Sequence, residues 1–389
     1  MRNCLLITAC LIATVQAEPI TIRNPTRAGV TSIDAERIPV GVIGDYKACL
    51  AMAPSGELLL VAFHQYQLPA KKYYEDMLLF RSQDGGKTWS KPQTIGLLGR
   101  EPYLTILKDG TIFITVHLLA NDARNKEGYT YSFIHRSGDG GKTWTTTPVG
   151  PDGFAAPAET QVTRNVLELA DGTLLFGVSD NKNVSYLWRS RDRGRTWEKS
   201  ARAQALNFQS KYHFFGEAQL FQHKSGKLIS LVRVDSHEFP IPAQKLGSWM
   251  EGFNDNQDHL LLYESTDRGK TFRHVKHFTE YGEIYPSIIR LQDGRWLMTF
   301  TVRSMKPPLG VHAVLGRETA EGIEFDFERD RFVIDAKTPK DKPSGGGFGR
   351  TVQLADGTLV TSLSWRGADG ETSCRDPSTR RAVDDPGCR

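Results

Sequence analysis

Apolar residues recur along this chain as short runs on either side of a glycine turn. Each pair of runs is separated by a two-residue turn, a pattern that is typical of a β-hairpin. Six pairs occur, and they read ACLAMAPSGELLLVAF, PYLTILKDGTIFITVH, NVLELADGTLLFGVS, AQLFQHKSGKLISLVR, PSIIRLQDGRWLMTF and TVQLADGTLVTSLSW. Their turn glycines are separated by 54, 62, 54, 68 and 63 residues, and they are Gly56, Gly110, Gly172, Gly226, Gly294 and Gly357.

A second phrase follows each of the first four hairpins. It reads SQDGGKTWS at 82–90, SGDGGKTWT at 137–145, SRDRGRTWE at 190–198 and STDRGKTFR at 265–273. Asp accepts hydrogen bonds from nearby backbone N–H groups and Gly adopts positive φ, so the phrase predicts a tight turn between strands. Its recurrence indicates a structural role, because a reaction does not need the same catalytic group four times.

Two hairpins in each repeat make four strands. Six such repeats of roughly sixty residues predict an all-β fold, a six-bladed β-propeller. The last two repeats lack a clear second phrase. We expect the segment before the first hairpin, PITIRNPTRAGVTSI, to pair with the last blade and close the ring, which would remove exposed sheet edges.

The first residues, MRNCLLITACLIATVQA, have the features of a secretory signal peptide: a basic residue, a short apolar run and a small-residue cleavage site. We expect residues 1–17 to be removed, so that the propeller comprises 18–389 and the protein is secreted or periplasmic. Lipid attachment at Cys10 is the alternative. The apolar run is too short to span a membrane.

The composition is that of a soluble globular protein of 389 residues, 39% apolar and 24% charged. The formal charge of +4 is spread along the chain without a Lys/Arg block, which argues against a nucleic-acid partner. Neither a phosphate-binding loop nor a metal-ligand spacing is present, so we expect no cofactor and no metal. In an oxidising compartment Cys374 and Cys388 should pair and tie down the polar tail at about 367–389, and Cys49 should be a buried thiol.

Candidate chemistry lies where the first strand of each repeat begins. Propellers bind ligands at the central axis, and these strand starts face it, nine residues before each turn glycine. The residues found there are Lys47, Glu101, Thr163 with Arg164 next to it, Glu217, Tyr285, and Phe348 with Arg350 close by. Because ionisable and phenolic groups would converge on the axis, the pattern predicts a pocket for a polar ligand.

The repeated turns resemble the Asp boxes of the exo-sialidase superfamily, and the resemblance covers nearly the whole mature chain. It implies a Tyr nucleophile, a Glu that deprotonates it, an Asp acid/base and three Arg that hold the carboxylate of sialic acid. YGEIYPSIIRLQDG resembles the Tyr motif and implies Tyr285 as nucleophile. FFGEAQL resembles the Glu segment and implies Glu217 as base. Arg233, sixteen residues later, fits one clamp Arg, and REPYL puts Glu101 where the family has Asp.

Other positions depart from the family pattern. Lys47 and Gln257 stand where the family has its other two clamp Arg, and Tyr66 replaces an Arg that follows the first blade's second strand. Lys is a point charge that cannot make the two-pronged contact of Arg with a carboxylate.

The acid/base residue is left open by the sequence. His64 and Asp76 are candidates on the first blade, and Glu75 lies beside them. A different anion site could draw on Arg164, Arg303, Arg350, His117 and His213.

The sequence therefore favours a secreted sialidase-like exo-glycosidase that removes a terminal acidic sugar from a glycan by a Tyr/Glu retaining mechanism. A neutral Tyr suits a sugar whose anomeric carbon carries a carboxylate, because that carboxylate would repel an anionic nucleophile. Two alternatives stay open on the same fold. One is a uronate lyase or rhamnosidase-type enzyme acting on polysaccharides, and the other is a non-catalytic glycan-binding propeller.

Overall fold

A computed structural model describes residues 33, 35–42, 44–149, 159–180, 184–208, 210, 213–235, 258–280, 282–302, 310–320, 322–335 and 350–364. All regular elements in these ranges are β-strands. No described helix is long and apolar enough to span a membrane. The predicted signal peptide, the tail with Cys374 and Cys388, Gln257 and Arg303 lie outside the described residues.

The first three blades are four-stranded sheets, built from consecutive stretches of the chain. Blade 1 comprises β1 (Asp45–Met52), β2 (Leu58–Gln67), β3 (Tyr73–Ser82) and β4 (Gln93–Thr94). Blade 2 comprises β5 (Arg100–Ile106), β6 (Ile112–Leu118), β7 (Tyr131–Ser137) and β8 (Thr145–Val149). Blade 3 comprises β9 (Thr160–Val162), β10 (Leu167–Glu168), β11 (Leu174–Asp180) and β12 (Ser185–Ser190).

The next two blades have five strands each. Blade 4 comprises β13 (Gln204–Leu206), β14 (Gln219–Gln222), β15 (Leu228–Asp235), β16 (Asp258–Ser265) and β17 (Thr271–His277). Blade 5 comprises β18 (Glu283–Arg290), β19 (Trp296–Val302), β20 (Gly310–Glu318), β21 (Ile323–Phe325) and β22 (Arg331–Asp335). The last described strands, β23 (Thr351–Gln353) and β24 (Leu359–Thr361), form a hairpin of their own.

Among the described residues the propeller has five blades of four or five strands, and the prediction of six such blades was wrong. The sixth hairpin does form, but in the described residues it remains a sheet of two strands. Of the segment expected to extend it, only Ile33 lies within the described residues, and its backbone N donates to Val333 O of blade 5 at 3.1 Å. The hairpin instead packs between blades 5 and 1, where Val352 joins the apolar cluster of blade 1 and Leu359 packs against that of blade 5.

Apolar side chains between neighbouring blades form the core. Leu79 of blade 1 and Ile114 of blade 2 share one cluster, and Phe113 of blade 2 and Trp188 of blade 3 share the next. Similar clusters join blades 3 and 4 and blades 4 and 5. Each such buried side chain stabilises the fold by about 1.5–3 kcal/mol, so the blade contacts hold the strand starts in place around the axis.

The four repeated phrases form one turn geometry, and we call them the outer turns because they follow strands far from the axis. In 82–90, Ser82 Oγ donates to Asp84 Oδ1 at 2.8 Å and Thr88 N donates to the same oxygen at 2.9 Å. Asp139, Asp192 and Asp267 repeat these bonds. Hydrogen bonds from the Thr88 side chain, from the Thr88 backbone N–H and from the Ser82 side chain lower the pKa of Asp84 to about 2. The predicted structural turns are thus confirmed.

Candidate active site

Four strand starts share a backbone conformation that residues with side chains rarely adopt. Lys47, Glu101, Glu217 and Tyr285 have φ of 56°, 55°, 55° and 56°. Such a conformation costs about 1–3 kcal/mol for a residue with a Cβ, and it clusters at functional sites. The strand register also shifts at three of these starts, between Tyr46/Cys49, Arg100/Tyr103 and Ile284/Ser287. A bulge of this kind re-aims the side chain that it carries.

One guanidinium group joins the predicted nucleophile to the predicted base. Arg233 Nη1 donates to Tyr285 OH at 2.8 Å and also to Glu217 Oε2. From the other side, Arg233 Nε donates to Asp258 Oδ2 at 2.7 Å, which fixes the guanidinium in place. All four side chains belong to residues less than a tenth exposed. The structure therefore brings together three residues that the sequence assigned to one site.

Glu217 approaches a second arginine from blade 3. Arg164 Nη2 lies 3.2 Å from Glu217 Oε1 and 3.2 Å from Glu101 Oε2. Burial lowers the pKa of Arg164, but the carboxylates of Glu217 and Glu101 outweigh burial and raise it. The guanidinium carbons of Arg164 and Arg233 lie 4.8 and 5.1 Å from the centre of the Tyr285 ring. Both positive charges favour negative charge on the phenolic oxygen as it develops.

Glu101 lies among basic groups. Lys47 Nζ contacts Glu101 Oε1, and Arg100 Nε lies 3.8 Å from the same oxygen. Burial raises the pKa of Glu101, but Lys47, His117 and Arg164 outweigh it and hold the pKa well below its usual range. Glu101 is therefore an ionised acceptor, suited to the hydroxyl groups of a ligand.

His117 joins this group, although the sequence suggested it only as a possible anion contact. Its Nε2 lies 3.5 Å from Glu101 Oε2 and 3.8 Å from Glu217 Oε1. Its cross-strand partner is Arg100, the residue that directly precedes Glu101 in β5. Predicting the cross-strand pairing of Arg100 with His117 could have identified His117 from the sequence. A cavity of about 10 Å³, the space one water needs, is lined by Glu101, Thr115, Val116, His117, Val162, Thr163, Arg164 and Glu217.

Two of the predicted residues of blade 1 form a stack. His64 Nδ1 lies 2.7 Å from Asp45 Oδ1, and the His64 ring centre lies 4.7 Å from that of Tyr66. Tyr66 in turn stacks on Tyr74, with ring centres 4.6 Å apart. The roles of His64 as acid/base and of Tyr66 in substrate binding stay predictions.

The other acid/base candidates lie on β3. Asp76 lies 3.6 Å from Arg124 and is about a third exposed. Glu75 is buried, accepts a hydrogen bond from Gln65 at 2.5 Å, and lies 3.7 Å from Arg100 Nε. Burial raises the pKa of Glu75 more than Arg100 and Gln65 lower it. A carboxyl group with a raised pKa, linked through Arg100 to Glu101, has the properties of a general acid.

Three further predicted residues are Arg350, Cys49 and His213. Arg350 contacts Leu104 O, and its guanidinium carbon lies 5.4 Å from the centre of the Tyr103 ring. Cys49 is a buried free thiol, as predicted, and burial raises its pKa. His213 is also buried, and burial lowers its pKa.

Two carboxylates and an imidazole at the axis are donors of the kind that bind divalent cations. Their ligand atoms, in Glu101, His117 and Glu217, lie within 4.8 Å of one another. The same two carboxylates, however, already contact Lys47, Arg164 and Arg233. The protein's own cations therefore occupy the electrostatic role that a metal would have here.

Residues 45–298 match the BNR repeat-like domain family. The chain belongs to this family. The match covers the first four blades and part of the fifth, and it confirms the predicted likeness of the chain to BNR-repeat propellers. A search of curated proteins finds no match.

Solved structures share the fold of this BNR-repeat protein at low identity. A Dyadobacter fermentans protein of unknown function is 22% identical, with a TM-score of 0.61 over 85% of this chain and 93% of its own. The NanB sialidase of Streptococcus pneumoniae is 13% identical, with a TM-score of 0.56 over 88% and 68%. A leech intramolecular trans-sialidase is 13% identical, with a TM-score of 0.54 over 82% and 64%.

Proposed function

We propose that this BNR-repeat protein is a glycoside hydrolase of the sialidase type that removes a terminal acidic sugar from glycans. Tyr285 is its nucleophile and Glu217 the base. One observation carries the proposal: a single nitrogen of Arg233 bonds both the Tyr285 hydroxyl and the Glu217 carboxylate. The pair is thereby held at the axis with defined geometry, as a retaining reaction requires.

The chemistry follows from these positions. Glu217 takes the phenolic proton while the Tyr285 oxygen attacks the anomeric carbon, and the bond to the leaving group breaks. Glu75, whose pKa is raised by burial, is the acid that gives its proton to the departing oxygen. Water then displaces Tyr285 from the glycosyl–tyrosine intermediate: the ionised acid takes a proton from the attacking water, and Glu217 returns its proton to the phenolic oxygen. Two displacements retain the configuration of the sugar.

The balance of charge supports an acidic substrate. In the described part of the site, five basic side chains face three ionised carboxylates and Glu75, which the proposed mechanism uses in its protonated form. The ionised carboxylates are those of Glu101, Glu217 and Asp258, and the basic residues are Lys47, Arg100, Arg164, Arg233 and Arg350. Positive charge is thus in excess, and the carboxylate of an acidic sugar would compensate part of it, as burial of charge requires.

The fold supports the same proposal. It is shared with NanB, described as a sialidase, and with the leech enzyme, whose structure holds 2,7-anhydro-Neu5Ac prepared by soaking with 3′-sialyllactose. We also propose that the protein is exported through residues 1–17, since a secreted glycosidase meets its glycans outside the cell.

The direct test is release of free sialic acid from 3′-sialyllactose by the purified protein, with Tyr285→Phe beside it. We expect release by the wild type and a loss of about a thousandfold or more in the variant, because only the attacking oxygen is removed. The Phe ring still packs between the two guanidinium groups, so an unchanged melting temperature is the control. Equal activity of the two proteins, or no release of sialic acid by folded wild type, would contradict the proposed function.

A rhamnosidase-type activity is the second candidate. Lys47, Arg164 and Arg233 each contact a protein carboxylate, and a site whose cations are already paired also suits the hydroxyl groups of a neutral sugar. Release of rhamnose from a rhamnose-capped polysaccharide, without release of sialic acid, would favour it. An unsaturated product absorbing in the ultraviolet would point instead to a uronate lyase.

A further inference from the structure

Three histidines lie close together on blade 4. His259 belongs to β16, and His274 and His277 belong to β17, the strand that pairs with it. The ring centres of His259 and His277 lie 5.4 Å apart, and those of His274 and His277 lie 5.8 Å apart. We call these three residues the histidine cluster.

A β-bulge brings the histidine cluster together. In a regular strand, residues three positions apart point to opposite faces of the sheet. The register of β17 shifts by one residue at Val275, between His274 and Lys276. This shift puts His274 and His277 on the face of the sheet that also carries His259. Bulges often re-aim side chains in this way next to functional sites.

Two imidazole nitrogens of the cluster have the separation that one metal ion requires. His277 Nδ1 lies 3.3 Å from His259 Nε2. Zn²⁺ binds histidine nitrogens at about 2.0–2.1 Å in a tetrahedral arrangement, which places two such ligands about 3.3–3.4 Å apart. The ring of His274 is inclined by 82° to that of His277. Rotation about the side-chain bonds of His274 would turn a third nitrogen toward the same ion.

The surroundings keep these rings in the form that binds a metal. Burial lowers the pKa of His274 and of His277, and His274 lowers that of His277 further. Neutral imidazole is the ligand form, because a metal needs the lone pair that a proton would take. Lys276 lies on the opposite face, where its Nζ is 5.9 Å from the centre of the Phe278 ring. Its positive charge therefore points away from the cluster.

The cluster extends from the interior of the blade to its surface. His259 is completely buried, whereas His277 is exposed, so an ion can enter beside His277. His259 directly follows Asp258, whose carboxylate accepts a hydrogen bond from Arg233 Nε at the axis. An ion held between β16 and β17 would therefore fix the strand end that orients Arg233.

We propose that the histidine cluster is a binding site for one divalent transition-metal ion such as Zn²⁺. His259 binds it through Nε2, His277 through Nδ1, and His274 supplies the third nitrogen. Water on the exposed side completes the tetrahedron. Imidazole ligands favour Zn²⁺ over Mg²⁺ and Ca²⁺, which prefer oxygen. The ion clamps two strands of blade 4 together, and the inference does not depend on the proposed function.

The first test is calorimetric titration of the protein with ZnCl₂, after treatment with a chelator and without a polyhistidine tag. We expect wild type to bind Zn²⁺ at this site, and His277→Ala and His274→Ala each to weaken that binding by about a hundredfold or more. Loss of an outer-shell partner alone costs about 10–100-fold, and these residues contact the ion directly. An unchanged melting temperature of His277→Ala without metal checks the fold, since His277 is exposed.

His117→Gln is the matched control, because His117 lies with two carboxylates in another group of described residues that could hold an ion. We expect this variant to bind Zn²⁺ at the histidine cluster as tightly as wild type does. Loss of binding in His117→Gln but not in His277→Ala would place the ion at the axis and overturn the inference. Absence of binding by wild type, or equal binding by either cluster variant, would overturn it as well.

The melting temperature provides a second readout. Zn²⁺ at about a hundred times its Kd should raise the melting temperature of wild type by about 3 °C, because the ion binds only the folded chain. His277→Ala should show no such rise, and His117→Gln should show the same rise as wild type. An equal rise in wild type and His277→Ala would mean that the ion binds elsewhere.

Discussion

The outer turns and the strand starts at the axis use the same unusual backbone region in opposite ways. Each outer turn has two consecutive residues at positive φ. Six of these eight positions are glycine, and the other two are Arg193 and Arg268. At the axis the positive φ values belong to Lys47, Glu101, Glu217 and Tyr285, and none of them is glycine.

The difference separates a turn whose role is structural from strand starts whose side chains form the candidate site. In the outer turns the side chain at the left-handed position is dispensable, so glycine takes it at no steric cost. At the axis the conformation orients a side chain that glycine would lack, so the strain of about 1–3 kcal/mol per residue is retained and offset by packing elsewhere. Removing a side chain should therefore have opposite consequences in the two regions.

The largest expected effect comes from Glu217→Gln. The amide cannot accept the phenolic proton, and we expect kcat to fall by about 10²–10⁴-fold. The substitution also leaves Arg233 and Arg164 with fewer charged partners. Steady-state kinetics on 3′-sialyllactose, with circular dichroism to check the fold, measure this. Activity within threefold of wild type would mean that the axis, like the outer turns, is structural.

A smaller effect should follow from a change outside the charged cluster, Gly177→Ala. A Cβ on Gly177 of β11 would lie 2.7 Å from Thr163 and 2.5 Å from the ring of Phe215. Phe215 lies in the segment that leads to Glu217. We expect a loss of about 1–3 kcal/mol of stability by overpacking, and about tenfold lower kcat as Glu217 shifts. Denaturant unfolding and kinetics separate the two losses. If stability falls and kcat does not, the site does not depend on this packing.

Lys47→Ala should affect binding more than chemistry. The ammonium group contacts Glu101 and would help to hold an acidic substituent, so we expect KM to rise by about tenfold with kcat nearly unchanged. Lys47→Arg is the matched comparison, since it keeps the charge and adds a two-pronged contact. A fall in kcat at constant KM would show that Lys47 does not contribute to substrate binding.

The smallest effect on activity is expected in the outer turns, for Asp84→Asn. Its folded pKa of about 2 lies below the ordinary value of 3.8, so its charge stabilises the fold above about pH 4. That contribution is lost as pH falls toward 2. The variant should keep wild-type kcat and have a lower melting temperature at pH 6. The difference between the two proteins should shrink below pH 4. An altered kcat would show that the outer turns and the axis are coupled.

Local features were readable from the sequence, and contacts between blades were not. The hairpins, the outer turns and the buried thiol of Cys49 depend on short stretches, and counting nine residues back from each turn glycine located Glu217 and Tyr285. His117 and Asp258 could not be found that way, because their partners come from other strands or other blades. The predicted number of blades was wrong for a similar reason. The local pattern of each repeat predicts its hairpin, but it does not predict which further strands pair with that hairpin in the same sheet.

The position of the last hairpin has a consequence for biosynthesis. Lys47 N and Ala48 N both donate to Ser364 Oγ, and Ser362 Oγ lies 3.3 Å from Ala48 O. More than 300 residues separate these partners along the chain. A nascent chain cannot make such contacts early, and distant pairings of this kind slow folding. The strand start that carries Lys47 therefore gains these contacts only after residues 362–364 leave the ribosome, so the candidate site is completed late in the biosynthesis of each molecule.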